Sequence, residues 1–162
     1  MPEPLDYQIV LNLQTALVAI SVASGYHYDM PAGAVRLNPD LDVESLIAPD
    51  GPRPFIFFKL GDQQWPREQY QPAMRLAHIL PVTIAWVQDS DATTDAALLQ
   101  TFFRGAADVE QAVAGTPASL TRGGLAVDTR ITGIRQAGEG AEVWAVVDLE
   151  IKTMRTYGQP NG

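Results

Sequence analysis

From Tyr7 to Tyr28 the chain places apolar residues at helical spacing, with no Asp, Glu, Lys or Arg between them. Ile9, Leu13, Ala16, Leu17 and Ile20 fall at i, i+4, i+7, i+8 and i+11, the stripe of a helix packed on a core. Gln8, Asn12, Thr15 and Ser21 make the other face polar but uncharged. Uncharged polar groups are cheaper to desolvate than ions, so this face suits a neighbouring subunit. Packing under a loop of the same chain is the alternative.

Gly25 breaks the helical pattern, and Tyr26 to Asp29 begins a kinked first strand that resumes at Gly33 to Leu37 beyond Pro31. Residues 38–54 hold four prolines among acidic side chains and read as a loop with one short turn near Val43 to Ile47. Phe55 to Leu60 is an apolar run between turn signals, the pattern of a buried central strand. Residues 61–72 lead to a long strand near Ala73 to Val87, and Pro81 predicts a bulge or an edge position within it. Ser90 or Asp91 is the expected cap of a second helix reaching about Ala114. Its stripe is Leu99, Phe102, Phe103, Ala106, Val109 and Val113, and Gly105 within it points to close backbone packing. Two strands, Leu125 to Arg135 and Glu142 to Tyr157, close the chain through a glycine-containing hairpin loop. In the last strand Val147, Leu149 and Ile151 alternate with Asp148, Glu150 and Lys152, the mark of a sheet covered on one side and wet on the other. The order helix, three strands, helix, two strands predicts an α+β domain: a mixed, mainly antiparallel sheet of about four to five strands with two helices packed on it.

The 162 residues fit one domain, 1–162, and contain no cysteine, which removes disulfides, thiolate metal sites and a cysteine nucleophile. A net charge of −8 repels nucleic-acid phosphates, so gripping DNA is not expected. The apolar N-terminal stretch is interrupted by Gln8, Asn12, Gln14 and Thr15, short of the roughly 20 apolar residues that span a bilayer. The first basic residue is Arg36, so no basic segment precedes it as in a signal peptide. These features predict a mature, soluble, unexported protein without membrane contact.

Chemical motifs fail one by one. His27 and His78 have no Ser, Cys or carboxylate spaced for a triad, and His27 with Asp29 supplies at most two metal ligands. The run Asp40 to Glu44 starts like a calcium loop, but Ser45 stands where Gly is needed and Gly51 where a bidentate Glu is needed. Gly123-Gly124 and Gly138-Glu139-Gly140 are not followed by Lys-Ser or Lys-Thr. Asp148 and Glu150 are accounted for by the solvent face of their strand. No catalytic, cofactor-binding or metal residue is assigned, and no enzyme activity is expected.

Several landmarks, in this order along the chain, carry a resemblance. They are the N-terminal helix leading into Gly25-Tyr26-His27-Tyr28-Asp29, the strand Arg75 to Ile84, the Asp-rich start of the second helix, and the closing stretch Val147 to Pro160. Together they resemble the small tail terminator and tail-completion proteins of long-tailed bacteriophages. The resemblance spans nearly the whole chain and rests on element order, with the long segments 38–54 and 61–72 as departures. It implies a virion structural protein without catalytic residues, assembled in the host cytoplasm and placed at the head-tail junction. Its copies would form a homohexameric ring that caps the head-proximal end of the tail tube, stops tube growth and meets the head-side connector or stopper protein. DNA would only pass through the channel.

On this reading the loops 38–54 and 61–72 are contact segments. Trp65 and Tyr70, aromatics among Gln, Arg and Pro, are candidate interaction residues. Asp40, Asp42, Glu44 and Asp50 are candidates to border the channel, where their repulsion would keep DNA from adhering; an ordinary solvated loop is the alternative. Rival readings are a head-tail connector or stopper, a small cytosolic enzyme built around His27, Asp29 and His78, and a monomeric adaptor using Trp65 and Tyr70.

Overall fold

The two segments with the longest strand patterns pair with each other along their whole length. In a computed structural model, which describes residues 3–37, 50–64, 75–138 and 141–156, β3 (Arg75–Asp89) and β5 (Glu142–Thr156) form a continuous antiparallel ladder. Around them the chain runs α1 (Leu5–Val18), β1 (Val35–Leu37), β2 (Phe55–Leu60), then β3, α2 (Asp95–Ala114), α3 (Pro117–Leu120), β4 (Asp128–Ala137) and β5. The sheet order is β1-β2-β3-β5-β4, with β1 parallel to β2 and every other pairing antiparallel. The fold is therefore α+β, a mixed and mostly antiparallel sheet with helices packed on it.

Strand alternation sorts the core into two clusters. On the helix-covered face, Ile56 and Phe58 of β2, Leu80, Val82, Ile84 and Trp86 of β3, and Val143, Ala145, Val147, Leu149 and Ile151 of β5 meet Ile9, Leu13 and Leu17 of α1 and Phe102, Ala106, Val109 and Val113 of α2. On the other face Phe55, Phe57, Ala85, Val87, Trp144 and Val146 form a smaller cluster. Beyond that cluster the same face turns polar: Lys59, Thr83 and Asp148 lie in one row, Arg130 and Glu150 in another, Asp128 and Lys152 in a third.

Four expectations need correction. Residues 26–29 are not a strand, because the N–H groups of His27 and Tyr28 donate to the Asp108 carboxylate and not to a ladder. Helix α2 starts at Asp95, since Thr94 is its cap and accepts from the Ala97 N–H at 3.3 Å; Ser90 caps only a local turn at Ala92. Leu99 and Phe103 leave the core stripe and stand 43% and 62% exposed, their places taken by Gly105, Asp108 and Ala112. Pro81 causes no bulge. Its carbonyl accepts from Gly61 N at 2.8 Å, so the side of the backbone lacking a donor points to where β2 has just ended, away from β5. The bulge lies instead in the edge strand β4, between Ile131 and Gly133.

Trp86 is the largest side chain of the helix-side core and is fully buried. It fits because α2 presents Gly105 to it: a Cβ there would lie 2.6 Å from Cδ2 of the indole. Tyr28 closes the other side at a ring-centroid distance of 5.2 Å. At the far end of α2, the buried Arg122 donates from Nη2 to the Val113 carbonyl, serving a helix-terminal acceptor and placing charge at the negative pole of the helix. Burial lowers its pKa to about 10, so it stays charged at neutral pH.

Gly105→Ala tests the Trp86 contact. On an exposed helix face this change gains about 1 kcal/mol; here overpacking should outweigh the gain and leave a net loss of about 2 kcal/mol. Thermal unfolding should fall by about 4–8 °C, and an unchanged or raised midpoint would show that α2 does not lie on Trp86 as described.

Candidate functional site

The outward face of α1 is apolar as well as uncharged. Tyr7, Leu11 and Val18 are 48%, 41% and 54% exposed, and Val22, in the 3-10 turn that follows, is 53% exposed. Thr15 lies between them with its hydroxyl donating to the Leu11 carbonyl at 2.9 Å, so this polar group is already served within the helix. The row is opposite the buried Ile9, Leu13 and Leu17 that hold α1 on the sheet. Singly exposed apolar residues are ordinary, but a row of them on one helix face makes it a candidate contact surface.

The segment after α1 is held so that this row has one shape. Asp108 of α2, 1% exposed, accepts from His27 N at 2.8 Å through one carboxylate oxygen and from Tyr28 N at 3.0 Å through the other. Asp29 accepts from Val22 N at 2.8 Å, and Met30 N donates to the Ile20 carbonyl at 3.0 Å. Burial raises the Asp108 pKa above the ordinary carboxylate value, while the two N–H donors and His27 pull it back.

A second apolar surface lies on the other side of the helix layer, where α2 meets the edge strand β4. Phe102, Phe103, Ala106, Ala107, Glu110 and Ile134 line an open groove of about 320 Å³. Phe103 and Ile134 are exposed, and Leu99 continues the apolar ledge one turn earlier on α2. Helix α1 lies over the β1 side of the sheet, whereas α2 lies over β3, β5 and β4, so the two surfaces are on different sides of the chain.

The candidate residues from the sequence fare unevenly. Trp65, Tyr70, Asp40, Asp42 and Glu44 lie outside the described residues; Asp50 lies within them and is exposed. His27 is exposed on the segment tied to Asp108. His78 is fully buried, with Nδ1 3.3 Å from Thr153 Oγ1 and 3.7 Å from Asp6 Oδ1, and Nε2 3.0 Å from Gln63 Oε1. Tyr28 packs on Trp86, eight residues along β3 from His78 and so about 27 Å away. The structure therefore does not bring His27 and Asp29 together with His78. Among the described residues no group of three or more His, Cys, Asp or Glu is placed to hold a metal ion, and no helix is long and apolar enough to cross a membrane.

The spacing i, i+4, i+11 of Tyr7, Leu11 and Val18 is legible in the sequence as a second apolar stripe, whereas Val22 lies past the end of the helix and has no such signal. The groove was hidden because Leu99 and Phe103 fit the core pattern of α2. The Asp108 anchor has no sequence signal, since its partners are backbone N–H groups far away in the chain.

Asp108→Ala strands two N–H groups and should cost about 1–3 kcal/mol. Asp108→Asn provides a reference that does not titrate. Because the folded pKa of Asp108 lies above its unfolded value of about 3.9, the folded state holds more protons between the two. The stability of the natural protein relative to Asp108→Asn should therefore be greatest below about pH 4 and decline as pH rises through that window. Paired denaturation curves across this range check it; a relative stability that grows with pH would mean that the N–H donors outweigh burial.

Comparison with protein-family models finds no match for this chain, and comparison with curated proteins finds none either.

Proposed function

We propose that this protein is a tail terminator of a long-tailed bacteriophage: a structural virion component whose copies form a ring on the head-proximal end of the tail tube. There it stops tube polymerisation and presents a surface to the head-side connector. One observation carries the reading: the charge-free outward row Tyr7, Leu11 and Val18 on a helix anchored over a mixed sheet, with the exposed Val22 in the turn that follows. A chain of net charge −8 that keeps one helix face clear of ions is built to meet protein there. The order of elements, which resembles that of terminator proteins, agrees with this. The virion location, the hexameric count, the tube and connector partners and the passage of DNA all belong to the proposal. An acidic lining that includes Asp50, which is exposed, is part of the same proposal.

The test is the length distribution of tubes polymerised from the tube protein of the same source, imaged with and without this chain. Tubes that stop short and carry a disc at one end are the expected result. Unchanged lengths with bare ends would remove the terminator reading, and binding to a portal complex in their place would favour the connector.

A further inference from the structure

We infer that His78 and Asp6 form a pH-sensitive clasp that ties the first turn of α1 to the sheet, and so controls how the outward row of α1 begins. The clasp is intrinsic to one chain and does not depend on the terminator reading.

The buried ring of His78 stands where three other parts of the chain converge on β3. Thr153 is its register partner on β5, with Oγ1 3.3 Å from Nδ1. Asp6, in the first turn of α1, brings Oδ1 to 3.7 Å from the same nitrogen. Gln63, in the segment after β2, places Oε1 3.0 Å from Nε2. That segment is itself held on β3, because Gln64 and Ile79 exchange backbone hydrogen bonds at 2.9 and 2.8 Å.

These partners define two states of the ring. An amide oxygen only accepts, so Gln63 calls for a proton on Nε2. With Nδ1 protonated as well, the ring is an imidazolium that attracts the Asp6 carboxylate, and the Thr153 hydroxyl accepts. With Nδ1 bare, the Thr153 hydroxyl turns to donate to it, while Asp6 faces a lone pair. The ring therefore has hydrogen-bond partners in both states, as a fully buried polar group requires, whereas its contact with Asp6 is attractive in one. Of these three partners Asp6 is the one that carries charge. Glu3 ahead of α1 and Asp62 beside Gln63 are exposed, and Lys152 beside Thr153 opens on the other face of the sheet near Asp128.

The first turn of α1 is where such a tie matters. The helix starts after Pro4 without a side-chain cap, and uncapped ends fray. Its first fully buried residue is Ile9, and Asp6 directly precedes Tyr7, the first residue of the exposed row. The tie is made in acid, as long as Asp6 is ionised, and is lost as pH rises through the titration of His78. Tyr7 is then held at low pH and loosened at high pH.

The full chain is titrated by NMR from about pH 5 to about pH 9, on both sides of the ordinary histidine range, following the ring nitrogens of His78. His27→Gln identifies the signals of the other histidine. Asp6→Asn keeps the shape and removes the charge, and it should lower the His78 midpoint by about one pH unit or more. The amides of Gln8, Ile9 and Val10 close the first turn of α1. In the natural protein their protection from hydrogen exchange, corrected for base catalysis, should fall by up to about tenfold through that midpoint, the equivalent of one pH unit of coupling. The amides of α2 should show no such step, and in Asp6→Asn it should vanish from α1. Equal His78 midpoints in the two proteins, a ring that does not titrate in this range, or a step in protection that is absent from the natural protein or survives in Asp6→Asn would overturn the clasp.

Discussion

The fold depends on one close approach, the seating of Trp86 against the bare backbone of α2 at Gly105. β3 is the middle strand of the sheet, and Trp86 rises from it as the bulkiest group of the helix-side core. A helix with any side chain at 105 would have to ride higher, separating Phe102, Ala106 and Val109 from the sheet. One turn further along the same helix, Asp108 receives the backbone of His27 and Tyr28 and brings the Tyr28 ring onto the indole. The tryptophan thus sets the depth of α2, and α2 sets the position of the segment that follows α1. Close packing makes such a contact nearly all-or-none, because interiors have little free volume to absorb a shift.

From that constraint follows the division of the surface. With both long helices on one face, the other face of the sheet carries a smaller cluster with no helix among the described residues packed on it. At one end it buries Phe55, Phe57, Trp144 and Val146, with Trp144 Nε1 donating to Glu142 at 3.1 Å and Arg53 bridging Glu142 and Asp89. At the other end opposite charges sit across neighbouring strands: Arg130 beside Glu150, Asp128 beside Lys152, and Arg135 4.0 Å from Asp148. Exposed pairs of this kind add little stability. Together with the bulge in β4 they mark the sheet edge as unsuited to further strand pairing.

Local patterns were legible in the sequence where they dictate local structure. The alternation in β5, the apolar run of β2 and the stripe Ile9, Leu13, Leu17 and Ile20 translate directly into burial, and Gly105 betrays close packing from its place inside a helical stripe. What failed depends on distant partners. The segment 26–29 has strand-like residues, but a carboxylate some eighty positions away takes its N–H groups. Pro81 is harmless only because β2 ends beside it. Leu99 and Phe103 match the helical period yet lie on the flank of α2 that no element of the described chain covers, and periodicity alone cannot tell a covered flank from an open one.

That last ambiguity is informative about function. A helix stripe wider than the sheet beneath it can cover leaves apolar area on its flank, and charged residues in place of Phe103 and Leu99 would cost little in packing. The same holds for Leu11 and Val18 on α1. Large apolar side chains exposed at both places, in a chain that carries an excess of acids elsewhere, agree with the proposed contact role of these surfaces. Their burial on assembly would add to stability roughly in proportion to the apolar area removed from water, at about 25 cal/mol per Å² before the costs of association. An isolated copy would then be less stable than an assembled one, and assembly and folding stability would rise together with concentration.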